Sequence, residues 1–288
     1  MKNILVTGAT GLLGTAVIEK FLQKIPDNQI TVFTRSEEKR KAFEAKGLNA
    51  FLGYYDNKYS LEKAMLEVDA VLLISAGDQG NRMQEHKNVI DAAMNAGLKN
   101  IAYTSRSLKN RNTLANNLMK EHFETEDYIK ESGLHYTIFR NALYMDVLPL
   151  FVGKDVFESG IFQPAGEGKV AFSLREEMGE AMANVLLNEP FENKTYHFTG
   201  SKAYSFYDVA TALTELSGKP VEYTPATNIE FETMMLAKGL PQPMVKKIID
   251  FNTDIKNGQE AEVTTDLEIK LGRTPTGLKA GLKKLFAL

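Results

Sequence analysis

Residues 4–22 read ILVTGATGLLGTAVIEKFL. An apolar, β-branched run meets three glycines, Gly8, Gly11 and Gly14, and an apolar-periodic segment follows. A strand that turns into a helix through glycines is the architecture of a dinucleotide-binding loop. The first glycine permits the tight turn, the second lets backbone approach a pyrophosphate, and the third lets the helix pack closely on the strand. The helix N-terminus then offers free N–H groups and a positive dipole end to the phosphates. The spacing is GxxGxxG, one residue longer at the first interval than GxGxxG. A glycine triplet alone is a weak signal. Placed at the head of a βαβ run, it becomes a specific one.

The rest of the first half supports that run. Strand-like stretches NILVT, ITVFT, NAFLGY, DAVLLIS, NIAYTS and HYTIFR alternate with helix-like segments over residues 12–24, 37–46, 60–67, 82–96 and 114–132. The strands are apolar throughout, as expected of strands covered on both faces. The expected fold is α/β: a doubly wound Rossmann parallel sheet over residues 1–150, with a smaller, partly interleaved C-terminal α/β substrate lobe over residues 151–288. In that lobe SGIFQPAGEGKVAFS suggests turns and short strands. A helix is expected over 175–188, then the strand KTYHFTG, and SFYDVATALTELSG reads as a capped helix closed by Gly218. Two helices flank GLPQP, and GLKAGLKKLFAL reads as a short amphipathic helix.

Composition removes several function classes. Of 288 residues, 43% are hydrophobic and 25% charged, with a net charge of -3, so no basic nucleic-acid face is implied. There is no cysteine, and the four histidines show no metal-ligand spacing, so neither a disulfide framework nor a metal site is expected. No signal-peptide pattern and no membrane-spanning apolar run appear, which makes a soluble cytoplasmic protein the expectation.

The second strand addresses which nucleotide binds. Enzymes that use NAD place Asp or Glu at its end, and an Arg there accommodates a 2′-phosphate. Here TVFTR ends in Arg35, with Lys39 one turn later, so NADPH is the expected cofactor. The alternative is an ordinary exposed arginine at a helix start. Chemistry is narrowed by an absence. Ketone-reducing Rossmann enzymes often carry a Tyr-x-x-x-Lys pair as proton donor. The pattern occurs at Tyr54/Lys58 and Tyr59/Lys63, but after the third strand rather than on the helix after the fifth, so both are read as chance. A quinone needs no such acid, because the hydroquinone anion it yields is already stable. Such a site must orient the ring and offer donors to the developing oxyanion.

GATGLLG, LLLIS, HKNVIDAAMNAGLKNIAYTS, HFETEDYIKESGLHYTIFRNALYMD and AGEGKVAFSLREEMGEAMANVL together resemble the NmrA-like branch of the atypical short-chain dehydrogenases/reductases, in particular its bacterial quinone-reductase and triphenylmethane-reductase members. The resemblance runs over nearly the whole chain. It implies direct hydride transfer from NADPH to a quinone or similar small acceptor, without flavin, and by family habit a homodimer. It implies that Gly8, Ala9, Thr10, Gly11, Leu12, Leu13 and Gly14 cradle the cofactor, and that Arg35, Ser75, Ala76, Thr104 and Ser105 line it. Arg140 and Asn141 are implied to face the nicotinamide and substrate. Asn141 offers an amide donor to a quinone oxygen, or caps the helix expected to follow. Tyr103 and Tyr144 are either catalytic or core. The chain departs from many relatives at His122, where they carry a lysine. His122 either bonds the nicotinamide ribose or is a structural histidine. The segment 164–169 is implied to lie beside the nicotinamide, its alternative being a surface hairpin. Two other functions are weighed beside the reductase: a nucleotide-sensing regulator without turnover, and a nucleotide-sugar epimerase-like enzyme.

Overall fold

The computed structural model describes residues 3–77, 81–153 and 155–288. The apolar runs form strands, and the periodic segments between them form helices. In order these are β1 (Ile4–Val6), α1 (Leu12–Leu22), β2 (Ile30–Thr34), α2 (Glu37–Glu44), β3 (Asn49–Leu52), α3 (Lys58–Met65), β4 (Ala70–Leu73), α4 (Arg82–Asn95), β5 (Asn100–Arg106), α5 (Asn117–Glu131) and β6 (His135–Asn141). After β6 come the short helices α6 (Leu148–Val152) and α7 (Val156–Ser159), then β7 (Ile161–Gln163), β8 (Lys169–Val170), α8 (Arg175–Asn188) and β9 (Lys194–Phe198). The chain ends through β10 (Tyr204–Ser205), α9 (Phe206–Ser217), β11 (Tyr223–Pro225), α10 (Asn228–Ala237), α11 (Gln242–Lys256), α12 (Asp266–Leu271) and α13 (Leu278–Phe286).

Seven strands form one sheet in the order β3-β2-β1-β4-β5-β6-β9. β1 lies between β2 and β4 and is parallel to both, with Val6 level with Val32 and Leu72. The order reverses there, which makes the ends of β1 and β4 the topological switch point where ligands bind in open parallel sheets. Every residue of β1, β2 and β4 is buried, as their unbroken apolar sequence requires. The doubly wound, Rossmann-type α/β fold expected from the sequence is the observed one.

The chain divides into two compact units, each built from separate segments. The first comprises residues Met1–Arg106, Glu121–Arg140 and Arg175–Tyr196; the second comprises Ser107–Lys120, Asn141–Leu174 and His197–Leu288. The first has a core that includes Leu5, Phe33, Met65, Val71, Ile90, Ile101 and Tyr103. In it α8 packs along α1 so closely that a Cβ on Gly179 would stand 2.6 Å from the Ala16 Cβ. Lys20 bonds Glu180 at 2.8 Å across the same contact. The second unit's core gathers Leu148, Phe172, Phe206, Leu213 and Leu282. Its α9 has the expected capping box, Ser205 with Asp208, and ends at Gly218 with φ +71°.

Two local expectations are corrected. The segment 164–169 is not a hairpin: β7 pairs with β11 and β8 with β10, so its flanking strands have distant partners. Asn141 does not cap a helix. It ends β6, and the turn at Met145–Val147 and α6 start three or more residues later, without a side-chain cap. Among the described residues no helix is long and apolar enough to cross a membrane.

Candidate cofactor and active site

In the first unit, the loops after β1, β2, β3 and β4 enclose a cavity of about 190 Å³ at the switch point. Gly8, Thr10, Arg35, Ser75 and Ala76 line it, five residues singled out by sequence. It is smaller than the roughly 300–1,000 Å³ of a typical ligand pocket, so it suits one end of an extended dinucleotide.

The glycines divide the work as expected, each for a visible reason. Gly8 has φ +60°, in the left-handed region. Gly14 is wedged against the loop: a Cβ there would lie 2.9 Å from the Ala9 Cα and closer still to the Gly8 carbonyl. Gly11 is different. Its backbone is extended (φ -78°, ψ 162°), and a Cβ would meet nothing nearer than the Gly8 oxygen at 3.4 Å. The protein's own packing therefore does not require glycine at 11. Gly11 also starts α1 without a capping side chain, and no acidic residue stands in the first turn, so that end keeps its positive potential. Residues 8–14 thus fit a pyrophosphate. Within the loop, Ala9 and Leu13 are buried in the core, and Leu12 is exposed. Arg35 follows β2 directly, exposed at the cavity's edge.

A layer of buried polar groups holds the cavity walls. The Thr104 hydroxyl accepts from the Ser75 N–H at 2.9 Å. The Ala76 N–H donates to His86 Nε2 at 2.9 Å, and His86 Nδ1 meets the Thr125 hydroxyl at 2.8 Å. Since Nε2 accepts, the proton of His86 sits on Nδ1, an assignment made from the partners. Burial, then the nearby Arg82 charge, pushes His86 down to about 3. Tyr103 and His122 bond each other, hydroxyl to Nδ1, at 2.9 Å, and both are buried. Burial, with Arg82, Arg106 and His86 adding to it, holds His122 well below the ordinary histidine value, and burial raises Tyr103. His122 is a neutral, internally bonded histidine here. Thr104, Tyr103 and His122 all bond within this supporting layer.

Ser105 belongs to a third arrangement. Its hydroxyl donates to Glu126 at 2.6 Å, and Arg140 grips the same carboxylate with two bonds of 2.8 and 2.6 Å. The Arg140 guanidinium, implied by sequence to face the substrate, is thus held by α5. Burial pushes the Glu126 carboxyl up, but the hydrogen bonds from Arg140 and Ser105 and the charges of Arg140 and Lys130 outweigh it and hold it below its ordinary value. A depressed carboxyl stabilises the fold above its unfolded pKa, and that stability is lost as pH falls through the folded value. Glu126→Gln is therefore expected to cost about 2 kcal/mol at pH 7, the worth of charged hydrogen bonds. The gap to the parent should narrow toward pH 3 in urea titrations. An equal gap at both pH values would show that the charge is not what matters.

The second unit carries the other candidates. Asn141 is buried; its amide donates to the Tyr144 hydroxyl at 3.3 Å, and its Oδ1 has no partner among the described residues. Tyr144 is half-buried and bridges to Ser173. In the segment 164–169, the Tyr223 hydroxyl lies 3.1 and 3.0 Å from the carbonyls of Gln163 and Gly166, sharing one proton between them.

The cavity also contains residues that sequence reasoning passed over: Tyr54, Tyr55, Asp56 and Glu85. Tyr54 had been noticed only in a chance Tyr-x-x-x-Lys match; Tyr59, in the other match, is 74% exposed. The available signal was position: YYD directly follows a strand that neighbours β2 in the sheet.

Comparison with known proteins agrees with this geometry. The chain matches the NmrA-like family over residues 1–281. It is 34% identical to quinone oxidoreductase 2 of Escherichia coli K12, over 98% of each chain. The crystal structure of the E. coli NADPH-dependent quinone oxidoreductase QOR2 complexed with NADPH superposes with a TM-score of 0.92, at 32% identity, over 98% of this chain and 99% of that one. Citrobacter sp. triphenylmethane reductase gives 0.91 at 34% identity, over 99% and 100%. A glycine-rich loop at the switch point, this sheet order and these likenesses lead to one conclusion: the chain belongs to the NmrA-like family.

Proposed function

We propose that the protein is an NADPH-dependent reductase that delivers hydride directly to quinones or similar electron-poor acceptors. The observation that carries this reading is the cavity that gathers Gly8, Thr10, Arg35, Ser75 and Ala76 at the switch point. The likeness to a quinone oxidoreductase and a dye reductase supports it. When bound, the cofactor supplies the hydride. The chain's residues bind and orient. Gly11 admits the pyrophosphate, Arg35 pairs with the 2′-phosphate, and Ser75 and Ala76 wall the cleft. Asn141 and Tyr144 offer an amide and a phenol to the acceptor's developing oxyanion. Tyr103 and His122 act as positioning residues, because their polar groups are turned on each other. No strong acid is needed when the product is a hydroquinone anion.

The test is consumption of reduced nicotinamide with a simple benzoquinone, comparing NADPH with NADH and subtracting the uncatalysed rate. A clear rate that favours NADPH is expected. NADPH that binds but is never consumed would point instead to the sensing regulator. Arg35→Ala is expected to weaken NADPH binding about 10–100-fold, the worth of a charge-assisted bond, and to leave NADH binding unchanged. Equal losses for both nucleotides would remove the 2′-phosphate assignment.

A further inference from the structure

The second unit holds a cavity of about 280 Å³ that shares no lining residue with the glycine-loop cavity. Phe151, Phe162, Phe231, Met234, Met235 and Met244 form most of its apolar wall. The sequence of α10, NIEFETMMLA, is apolar on more than one side, yet Phe231 is its one buried side chain. Met234 and Met235 are left half-covered, facing the space rather than a packed neighbour. Phe162 and Phe231 stack at 6.4 Å between ring centroids, inclined by 20°, and offer flat faces.

Asp155, Ser159 and Lys238 also line the cavity, while the buried polar side chain in its wall, Gln163, is satisfied within the protein. Gln163 donates its amide to the Phe151 carbonyl and accepts from Asn252 at 3.0 Å. Most of the lining side chains are apolar, so recognition here rests chiefly on apolar area, shape and aromatic faces. A dry cavity of about 150 Å³ takes one benzene ring; this one has room for a fused pair. Unbranched methionine side chains adapt to rings of differing outline and make favourable sulfur–aromatic contacts. The cavity also adjoins the segment 164–169, because β7, which supplies Phe162 and Gln163, runs directly into Pro164.

We infer that this cavity is a binding site for a flat, fused-ring aromatic acceptor of the naphthoquinone type. As a statement about acceptors it rests on the reductase reading above. As a binding site it is tested separately. Three of the chain's eleven methionines line it, and the buried Met65, Met178 and Met182, outside its lining, serve as internal controls. The protein is labelled with ¹³C at the methionine methyls, each peak being assigned by a single Met→Leu variant. It is saturated with NADP+ to prevent turnover and titrated with 2-methyl-1,4-naphthoquinone. Saturable shifts are expected at Met234, Met235 and Met244, several-fold larger than at the buried Met65, Met178 and Met182. No saturable shift at the three, or equal shifts everywhere, overturns the inference. The titration is repeated with 2-naphthol, which has the rings but accepts no hydride. If 2-naphthol shifts the three methyls while no quinone is reduced, the site stands and the reductase reading fails. If quinones are reduced and the three methyls stay still, the site fails and the reductase reading stands.

Discussion

Between pH 7 and pH 5 the protein is expected to lose about 4 kcal/mol of stability, a large share of the roughly 5–15 kcal/mol that holds a typical domain. The cause is the pair His86 and His122. Both are buried and neutral in the fold, His86 with its value pushed down to about 3. In the unfolded chain each returns to about 6.5. The unfolded state therefore binds two protons that the native state does not. Stability is complete above the unfolded value and falls as pH drops below it. Each histidine contributes about 1.4 kcal/mol per pH unit once the unfolded form is fully protonated. Urea midpoints at pH 7, 6 and 5 measure this directly. His86→Gln, which keeps an amide acceptor near the Ala76 N–H, should roughly halve the slope. A midpoint that stays level from pH 7 to 5 would mean that the histidines are charged, or free to become so, in the native state.

The second large effect separates two glycines three residues apart. Gly14→Val is expected to unfold the loop or shift α1 off it, because its Cβ would run into the backbone of Gly8 and Ala9, where nothing flexible can yield. Even the smaller Gly14→Ala should cost about 1–3 kcal/mol, as overpacking does, and cofactor affinity should fall with it. Gly11→Ala should behave otherwise. It has room within the protein, so its melting temperature should stay close to the parent's, with a stability change under about 1 kcal/mol. Its methyl, however, occupies the cradle, and NADPH affinity should drop at least about tenfold, or 1.4 kcal/mol. Circular-dichroism melts and NADPH fluorescence titrations on the two alanine variants report both quantities. If Gly11→Ala binds NADPH like the parent, the pyrophosphate does not lie against that backbone.

Particular residues show how far sequence reasoning reached. That the glycine loop and Arg35 fall at one cavity was legible because their signals are local: a turn, a helix start, a strand end. The helix over 175–188 was found to the residue, since its apolar spacing and acidic first turn need no partner to be read. Asn141 misled as a helix cap because asparagine is favoured there, while the structure continues β6 through it. The segment 164–169 has hairpin-like turn chemistry, but the partners of its flanking strands lie some 35 to 60 residues away in the chain. Arg140 was read outward because nothing local reveals that Glu126 on α5 will meet it. Tyr54–Asp56 became part of a cavity only through strand order, which no short stretch encodes.

The joint between α1 and α8 has a consequence for how the protein is made. The helix that begins at the glycine loop rests on Gly179 and Glu180, residues separated from it by more than half of the chain. On a ribosome the loop emerges well before α8, so its helix stays bare on that flank until α8 has been synthesised. A cut between β6 and α8 leaves α1 without that partner. Grafting this cradle onto another protein means moving three separate pieces of the chain together.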